Sequence, residues 1–346
     1  MTPTLPPTDN RMLWVRSMES VEQVPIQSRY SESYELVSEC EIRRRLWYRD
    51  GLIACSCLGA STYIDGIFTY ELKFLLPNYQ EERDENDEII SRASSEGYFS
   101  RSRADEIISL LSLFLHTRFF EVQRRIGEHT ANSIGVQHGK KFVYLPCRDS
   151  NQKKSHVFHS KDKDLWPVAE MLEKVRRLNP DVHQKFYFAI SNYADALRLI
   201  GFEDEIAYIK LVSAISALAS TNTPGQDRRE FKGFIQKYGI GYFTARPGVE
   251  WSWVNKDNLD RYLDTIYNAR SRYLHAGIPM WICEEQDYFS EVGRGYDLGF
   301  AIGRISDHRH WDEFDRVPST LFFEGLVREC LINYLNEFSV TRQEAA

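Results

Sequence analysis

The stretch YLDTIYNARSRYLHAG, residues 262–277, has the pattern of an amphipathic helix with a basic C-terminal end. Its apolar side chains recur at three- and four-residue spacing, which predicts one apolar stripe. That stripe comprises Leu263, Ile266, Tyr267 and Leu274. Asp257 is a suitable N-cap residue, and Gly277 suits a left-handed C-terminal cap. The sequence therefore predicts a helix from about residue 257 to residue 275.

Arg270 and His275 are the side chains of this helix that could carry chemistry. Both are expected on or beside the apolar stripe, and a partly buried cation needs an ionic partner or an anionic ligand. Arginine is a permanent forked donor suited to phosphate, and histidine exchanges a proton near neutral pH. Together they could act on a phosphodiester. The alternative is an ordinary salt-bridge or cap arrangement at a helix end.

The spacing of Arg270 and His275 adds a geometric constraint. Five residues at 3.6 per turn place the two side chains roughly 140° apart on a straight helix. Either the helix loosens near Ala276–Gly277, or two copies of the chain meet and each supplies part of one site. The second arrangement predicts a dimer, most simply an isologous one.

Helical periodicity extends on both sides of this stretch. Further helices are predicted over residues 183–200, 203–219 and 319–338, with a shorter basic helical piece in between. Pro318 lies at the favoured start of the last helix. Four main helices in one stretch of chain suggest an antiparallel bundle.

The N-terminal half has a different pattern. Residues 1–30 form a Pro-rich arm without clear periodicity. Strands are predicted at 51–57, 66–76 and 141–146, and helices from Ser102 to about Val122 and from Trp166 to Leu178. Asn179–Pro180 should end the last of these, which places a domain boundary there. The cluster Arg43–Arg45 near Trp47 could bind phosphate, although a solvated helix face is the simpler interpretation.

The stretch around Arg270 resembles the Arg-x4-His signature of HEPN domains, most closely the Apea-like branch. A tyrosine, an Arg-Ser pair and a terminal His-Gly-like turn recur there, matched here by Tyr267, Arg270–Ser271, His275 and, after an inserted Ala276, Gly277. Residues 211–218 also resemble that branch's second helix. The resemblance covers roughly residues 181–340 and not the N-terminal half. The expected fold is mainly α, with an N-terminal α+β domain of unknown type (31–180) followed by a HEPN-type helical bundle (181–340).

This resemblance implies a metal-independent endoribonuclease that needs no cofactor. In such enzymes the 2′-hydroxyl of the RNA attacks the adjacent phosphate and leaves a cyclic phosphate and a 5′-hydroxyl. Arg270 would bind the scissile phosphate, His275 would transfer a proton or hold the phosphate, and Ser271 would be a polar helper. The family builds this site from two facing bundles, in agreement with a homodimer. The alternative is a HEPN module that docks RNA or a protein and cuts nothing.

Two positions depart from the family pattern. Helix two of the Apea-like branch often carries a glutamate where this chain has Ser216. Gly277 stands where some related toxins carry a tyrosine that an antitoxin modifies. One polar contributor to the site is therefore expected to be missing, and the match to those toxins is weakened.

A local basic bias favours RNA as the partner. Residues 227–272 contain nine cationic and six acidic side chains, and Arg261, Tyr267 and Arg272 are the expected RNA contacts. The interleaved aromatic residues could stack on unpaired bases: Tyr242, Phe243, Trp251 and Trp253. The alternative is a mixed surface over aromatic residues of the core.

Composition excludes other classes. The net charge of −7 argues against a protein that coats nucleic acid by bulk charge. The six cysteines form no CxxC pair, and the histidine pairs 156/159 and 308/310 are weak metal signals. With neither a leader nor a membrane segment expected, the predicted location is the cytoplasm. The family resemblance suggests a toxin or abortive-infection effector, whose N-terminal domain answers to a regulatory protein or a phage-derived trigger.

Overall fold

The computed structural model divides the chain into two compact units, Met1–Gln184 and Lys185–Ala346. It describes residues 29–38, 40–48, 53–60, 68–77, 81–83, 89–92, 95–128, 136–137, 164–165, 167–201, 203–220, 227–243, 254, 256–280, 282 and 317–340. The arm up to residue 28, the predicted strand 141–146 and both histidine pairs lie outside these residues.

Unit 1 is built on antiparallel strands. They are β1 (Arg29–Ser38), β2 (Arg45–Tyr48), β3 (Ile53–Ala60), β4 (Phe68–Pro77), β5 (Glu81–Arg83), β6 (Ile89–Arg92), β7 (Phe120–Glu128) and β8 (Val136–Gln137). Six of them form one sheet in the order β2-β3-β4-β1-β7-β8, while β5 and β6 pair separately. Two helices belong to the same unit, α1 (Ser95–Leu115) and α2 (Val168–Arg176).

One face of the larger sheet forms the core of unit 1. Alternate residues of the strands are buried, as period-two side-chain alternation requires: Tyr34, Leu36, Leu46, Tyr48, Ile53, Cys55, Tyr70, Leu72 and Phe74. The Tyr48 hydroxyl donates a hydrogen bond to Glu173 of α2 at 2.5 Å, and α2 in turn contacts α1. The sheet is therefore covered on one side by helix.

Two sequence predictions in unit 1 are wrong. The helix expected up to Val122 ends at Leu115, because His116 adopts a left-handed φ of 48°. The chain then enters β7, whose residues pair with β1 instead of continuing a helical stripe. Arg45 belongs to strand β2 and not to a solvated helix face. In both places strand pairing overrode a local pattern compatible with helix.

Unit 2 is helical. Its helices are α3 (Pro180–Leu199), in which the boundary between the units falls, α4 (Asp204–Ala219), α5 (Asp227–Tyr238), α6 (Leu259–Ala276) and α7 (Thr320–Val340), with a 3-10 turn at Ile240–Phe243. The short piece α5 is thus a full member of the bundle beside the four predicted helices. An antiparallel sheet followed by helices is the α+β-then-α organisation expected from the sequence.

A hydrogen bond and an ion pair show the relative direction of α3 and α4. Lys185 reaches the carbonyl of Ser220 at 3.1 Å, and Lys210 lies 3.1 Å from Asp195, so α3 and α4 run antiparallel. The core between the helices is mainly aromatic and aliphatic. One polar pair is enclosed in it, since the hydroxyl of Tyr193 donates to the fully buried Glu324. Burial, followed by the charge of Glu324, raises the pKa of Tyr193 well above its ordinary value.

Candidate functional site

Helix α6 carries all the predicted site residues. It begins after Asn258 rather than at Asp257 and ends where Gly277 takes the left-handed conformation, with φ of 62°. The amide of Gly277 donates to the carbonyl of Tyr273 at 3.0 Å. The predicted helix end and glycine cap are therefore confirmed.

Arg270 is held at the edge of the buried side of α6. Its side chain is half-buried, next in sequence to the buried Ala269 and one turn after the buried Ile266. The Nε atom is inaccessible to solvent and has no hydrogen-bond partner among the described residues. A buried donor left without an acceptor costs about 1–3 kcal/mol. The fold therefore leaves part of this guanidinium unsatisfied.

His275 lies in the last turn of the same helix and is exposed. It is not on the buried apolar stripe, contrary to the sequence prediction, because its direction differs from those of the buried apolar residues of α6 by more than 90° on a regular helix. Ser271 and Arg272, in the turn between, are half-buried. The three polar candidates beyond Arg270 therefore have access to solvent.

The helix does not loosen between Arg270 and His275. Residues 259–276 are α-helical throughout, so the two side chains are separated by about 140° around the axis and about 7.5 Å along it. Of the two arrangements that the sequence left open, this geometry removes the first. One helix end does not direct both groups at the same point.

The end of α6 presents an apolar surface beside His275. Leu274 was expected in the buried stripe but is 47% exposed, and Ile278, just past the glycine cap, is 37% exposed. The buried residues of the helix stop at Ala269. The last turn therefore extends beyond the part of α6 that packs in the bundle, and its apolar side chains remain open to solvent.

The predicted RNA contacts fall on two sides of α6. The ring of the half-buried Tyr267 packs on Phe231 of α5, with centroids 5.7 Å apart. Arg261 is exposed, and its helical direction is within about 40° of those of Arg272 and His275. Arg261, Arg272 and His275 thus share the solvent side of the helix, whereas Tyr267 is mainly a packing residue.

Two cations of the basic stretch form ion pairs between α5 and α6. Arg228 and Lys232 of α5 both lie within 2.9 Å of Asp264, and Lys232 also lies 2.7 Å from Asp260. Partial burial would lower the pKa of Lys232, yet its hydrogen bonds with Asp260 and Asp264 outweigh this and raise it. These pairs join α5 to α6 in antiparallel order. They reduce the basic surface that the sequence suggested.

The aromatic residues of the basic stretch also differ from the expectation that they stack on unpaired bases. Tyr242 is buried and packs edge-on against Phe322 at 5.6 Å, so it is not available to stack on a base. Trp251 and Trp253 lie outside the described residues, as does the side chain of Phe243. Ser216, the position of the expected family glutamate, is half-buried in α4.

One residue near the site was missed by the sequence reasoning. Glu205, in the first turn of α4, accepts a hydrogen bond from the amide of Met280 at 2.5 Å. This contact fixes the chain just after the end of α6 and so helps to hold the position of His275. An acidic residue is expected in the first turn of a helix because it interacts favourably with the helix dipole. Its presence there therefore gave no sign of a contact with a distant residue.

The described residues contain no group of three side chains suited to a metal ion. None of the helices in the described ranges combines the length and apolarity needed to cross a membrane. Comparisons with family models, with curated proteins and with solved structures find no match to this chain.

Proposed function

We propose that unit 2 is a metal-independent endoribonuclease of the Apea-like HEPN type, with Arg270 and His275 as its catalytic residues. The observation that carries the proposal is the half-buried Arg270, whose Nε lacks a partner among the described residues. An anionic ligand would supply the missing acceptor, and a phosphodiester fits the fork of a guanidinium.

The proposed reaction uses only groups of the RNA and the protein. The 2′-hydroxyl loses its proton and attacks the adjacent phosphorus, the bond to the 5′ oxygen breaks, and that oxygen takes up a proton. The products are a 2′,3′-cyclic phosphate and a 5′-hydroxyl. Arg270 stabilises the charge that develops on the phosphate, and Ser271 donates a hydrogen bond to the RNA. His275 accepts the proton of the 2′-hydroxyl, and the imidazolium so formed gives a proton to the 5′ oxygen.

Two copies of the chain are needed for such a site. Because Arg270 and His275 diverge on a regular helix, the His275 of one copy acts beside the Arg270 of the other. The exposed Leu274 and Ile278 provide an apolar contact next to His275 for this pairing. Arg261 and Arg272 on the solvent side, with the edge of Tyr267, would then guide the RNA into the shared groove.

A second candidate function is RNA docking without cleavage. It is favoured by the side chain of His275, which makes no hydrogen bond or ion pair with the described residues of its own chain. Catalytic histidines are commonly oriented by a third group. In this alternative Arg270 grips a phosphate and His275 is only a surface residue.

The deciding experiment is cleavage of a labelled single-stranded RNA by the purified full-length protein in EDTA. Cleavage that yields a cyclic phosphate and is lost in both Arg270→Ala and His275→Ala supports the nuclease. Arg229→Ala is the matched control, since Arg229 is an exposed arginine on α5. RNA binding without cleavage by the wild-type protein would favour the docking function, and neither binding nor cleavage would contradict both.

The same proposal suggests a cellular role as a toxin or abortive-infection effector in the cytoplasm. The cysteines that the structure describes, Cys40, Cys55, Cys57 and Cys330, form no disulfide, and thiols of this kind suit a reducing compartment. Unit 1 would hold the nuclease inactive until a regulatory protein or a phage-derived trigger binds. Expression of the wild-type chain should then arrest growth on phage infection, and Arg270→Ala should not.

A further inference from the structure

The face of the larger sheet opposite its buried side carries exposed and half-buried side chains that the proposed cleavage site does not use. On edge strand β2, Leu46 and Tyr48 point into the core, while Arg45 and Trp47 point the other way and are exposed. Trp47 is 54% exposed. A solvated tryptophan of this kind forgoes much of the free energy that burial would contribute.

The strand register places small and cationic residues beside Trp47. Trp47 pairs with Ala54, Ala54 with Lys73, and Lys73 with Ser33. The same row continues to the backbone position of Arg125 on β7. At about 4.8 Å per strand, the row from Trp47 to that position spans about 19 Å. The described side chains of this row are one aromatic ring, Trp47, two small side chains, Ala54 and Ser33, and one cation, Lys73.

The neighbouring row modifies this surface. Arg45 lies opposite Ser56, which lies opposite Glu71, and Glu71 lies opposite Glu35. The guanidinium of Arg45 lies over the Trp47 ring, 5.4 Å from its centroid. Glu71 lies 2.9 Å from the ammonium group of Lys73 and orients it. Lys73 thus lies within the Trp47 row, Arg45 reaches over the Trp47 ring from the neighbouring row, and the two carboxylates of that neighbouring row lie on one side of the Trp47 row.

Protection of a sheet edge explains only part of this arrangement. Charged side chains on an edge strand discourage pairing with other strands, which accounts for Arg45. It does not account for an exposed indole that has a guanidinium 5.4 Å above its ring and small side chains beside it on the neighbouring strand, Ala54 and Ser56. A flat aromatic ligand with an attached anion would satisfy the ring and the cations together.

We propose that Trp47, Arg45 and Lys73, with the floor of Ala54, Ser56 and Ser33, form a platform that binds unpaired nucleotides. A base stacks on Trp47, and the adjoining phosphate is held by Arg45 and Lys73. Stacking on a π face tolerates any base, so binding is expected to be independent of sequence. The platform does not depend on the proposed ribonuclease activity.

Fluorescence anisotropy of labelled oligonucleotides on the full-length protein tests the platform. The probes are dT10, which lacks the 2′-hydroxyl and is not cleaved, and U10 measured in a His275→Ala background. Trp47→Ala should weaken binding of dT10 about tenfold, and Trp47→Phe should retain most of the affinity. Lys73→Ala should lower the slope of log affinity against log salt by about 0.7.

The matched control is Phe188→Ala, which removes a 50% exposed aromatic side chain from α3 and should leave affinity within about twofold. Equal binding of dT10 and U10 would assign the platform to either nucleic acid, and stronger binding of U10 would assign it to RNA. Equal affinity of wild type and Trp47→Ala for both probes, or no binding by the wild type, would overturn the proposal. Loss of cleavage in Arg270→Ala is a separate readout that none of these results predicts.

Discussion

Replacement of Arg270 by methionine should raise the stability of the protein while it lowers RNA cleavage. The buried Nε without a partner costs about 1–3 kcal/mol. Because the side chain as a whole is only half-buried, we expect the lower end of that range. Methionine has a similar length and high helix propensity, so Arg270→Met should raise the free energy of unfolding by about 1 kcal/mol. For a unit of this size that corresponds to roughly 2–4 °C in Tm.

The same substitution should reduce RNA cleavage by about 10²–10³-fold, as loss of one donor to a developing oxyanion does. Urea denaturation followed by circular dichroism gives the free energy of unfolding, and a gel assay with labelled RNA gives the rate of cleavage. Arg272→Met, also half-buried on α6, is the control and should change stability by less than about 0.5 kcal/mol. A loss of 1 kcal/mol or more in Arg270→Met would refute the reasoning, because it would show that the guanidinium stabilises the bundle.

Three further substitutions test the surroundings of the site. Gly277→Ala should destabilise by about 1–2 kcal/mol in denaturant titrations, because alanine disfavours the left-handed φ of 62°. Asp264→Asn should cost less than about 1 kcal/mol at pH 7. Burial would raise the pKa of Asp264, but hydrogen bonds from Lys232 and Arg228 outweigh burial and lower it. The cost of the substitution should therefore begin to shrink below about pH 4 and should disappear only once the pH is below the lowered pKa. Leu274→Glu should convert a dimer to a monomer in light scattering.

Two of these substitutions have a matched control variant, and Asp264→Asn is checked by its pH dependence. Gly233→Ala, in an exposed helical position with open space around a new Cβ, should stabilise by about 0.5–1 kcal/mol, opposite in sign to Gly277→Ala. Phe188→Glu, another exposed apolar position, should leave the dimer intact. A cost of Asp264→Asn that does not diminish between pH 7 and pH 3 would contradict the ion pairs of Asp264, and a dimer that survives Leu274→Glu would contradict the proposed dimer contact.

The helices of unit 2 could be predicted because each has its own apolar periodicity. The predicted helix over 203–219 differs from the observed Asp204–Ala219 by one residue at its start. The start of α3 was placed late, near His183. Asn179 instead accepts the amide of Val182 at 2.9 Å, and Pro180 takes the first position of the helix. The pair Asn179–Pro180, which was expected to end the preceding helix, therefore also begins α3.

The errors occurred where distant parts of the chain decide the structure. Val122 continues a helical spacing, but its segment pairs with β1, about ninety positions earlier in the chain. Tyr242 could serve as a base-stacking residue in isolation, yet it fills the core beside α7. The exposure of Leu274 depends on how far the neighbouring helices reach along α6. Periodicity within one segment carries none of this information.

Helix α3 has a practical consequence for dissecting the protein. The boundary of the two units falls inside it, after Gln184, and its first turn is fastened by Asn179. A shortened protein that starts at Lys185 would begin within a helix, and the amides of its first turn would lack a cap. A start ahead of Asn179 keeps the natural cap, so that a loss of activity in the fragment would report on the missing unit and not on a frayed helix.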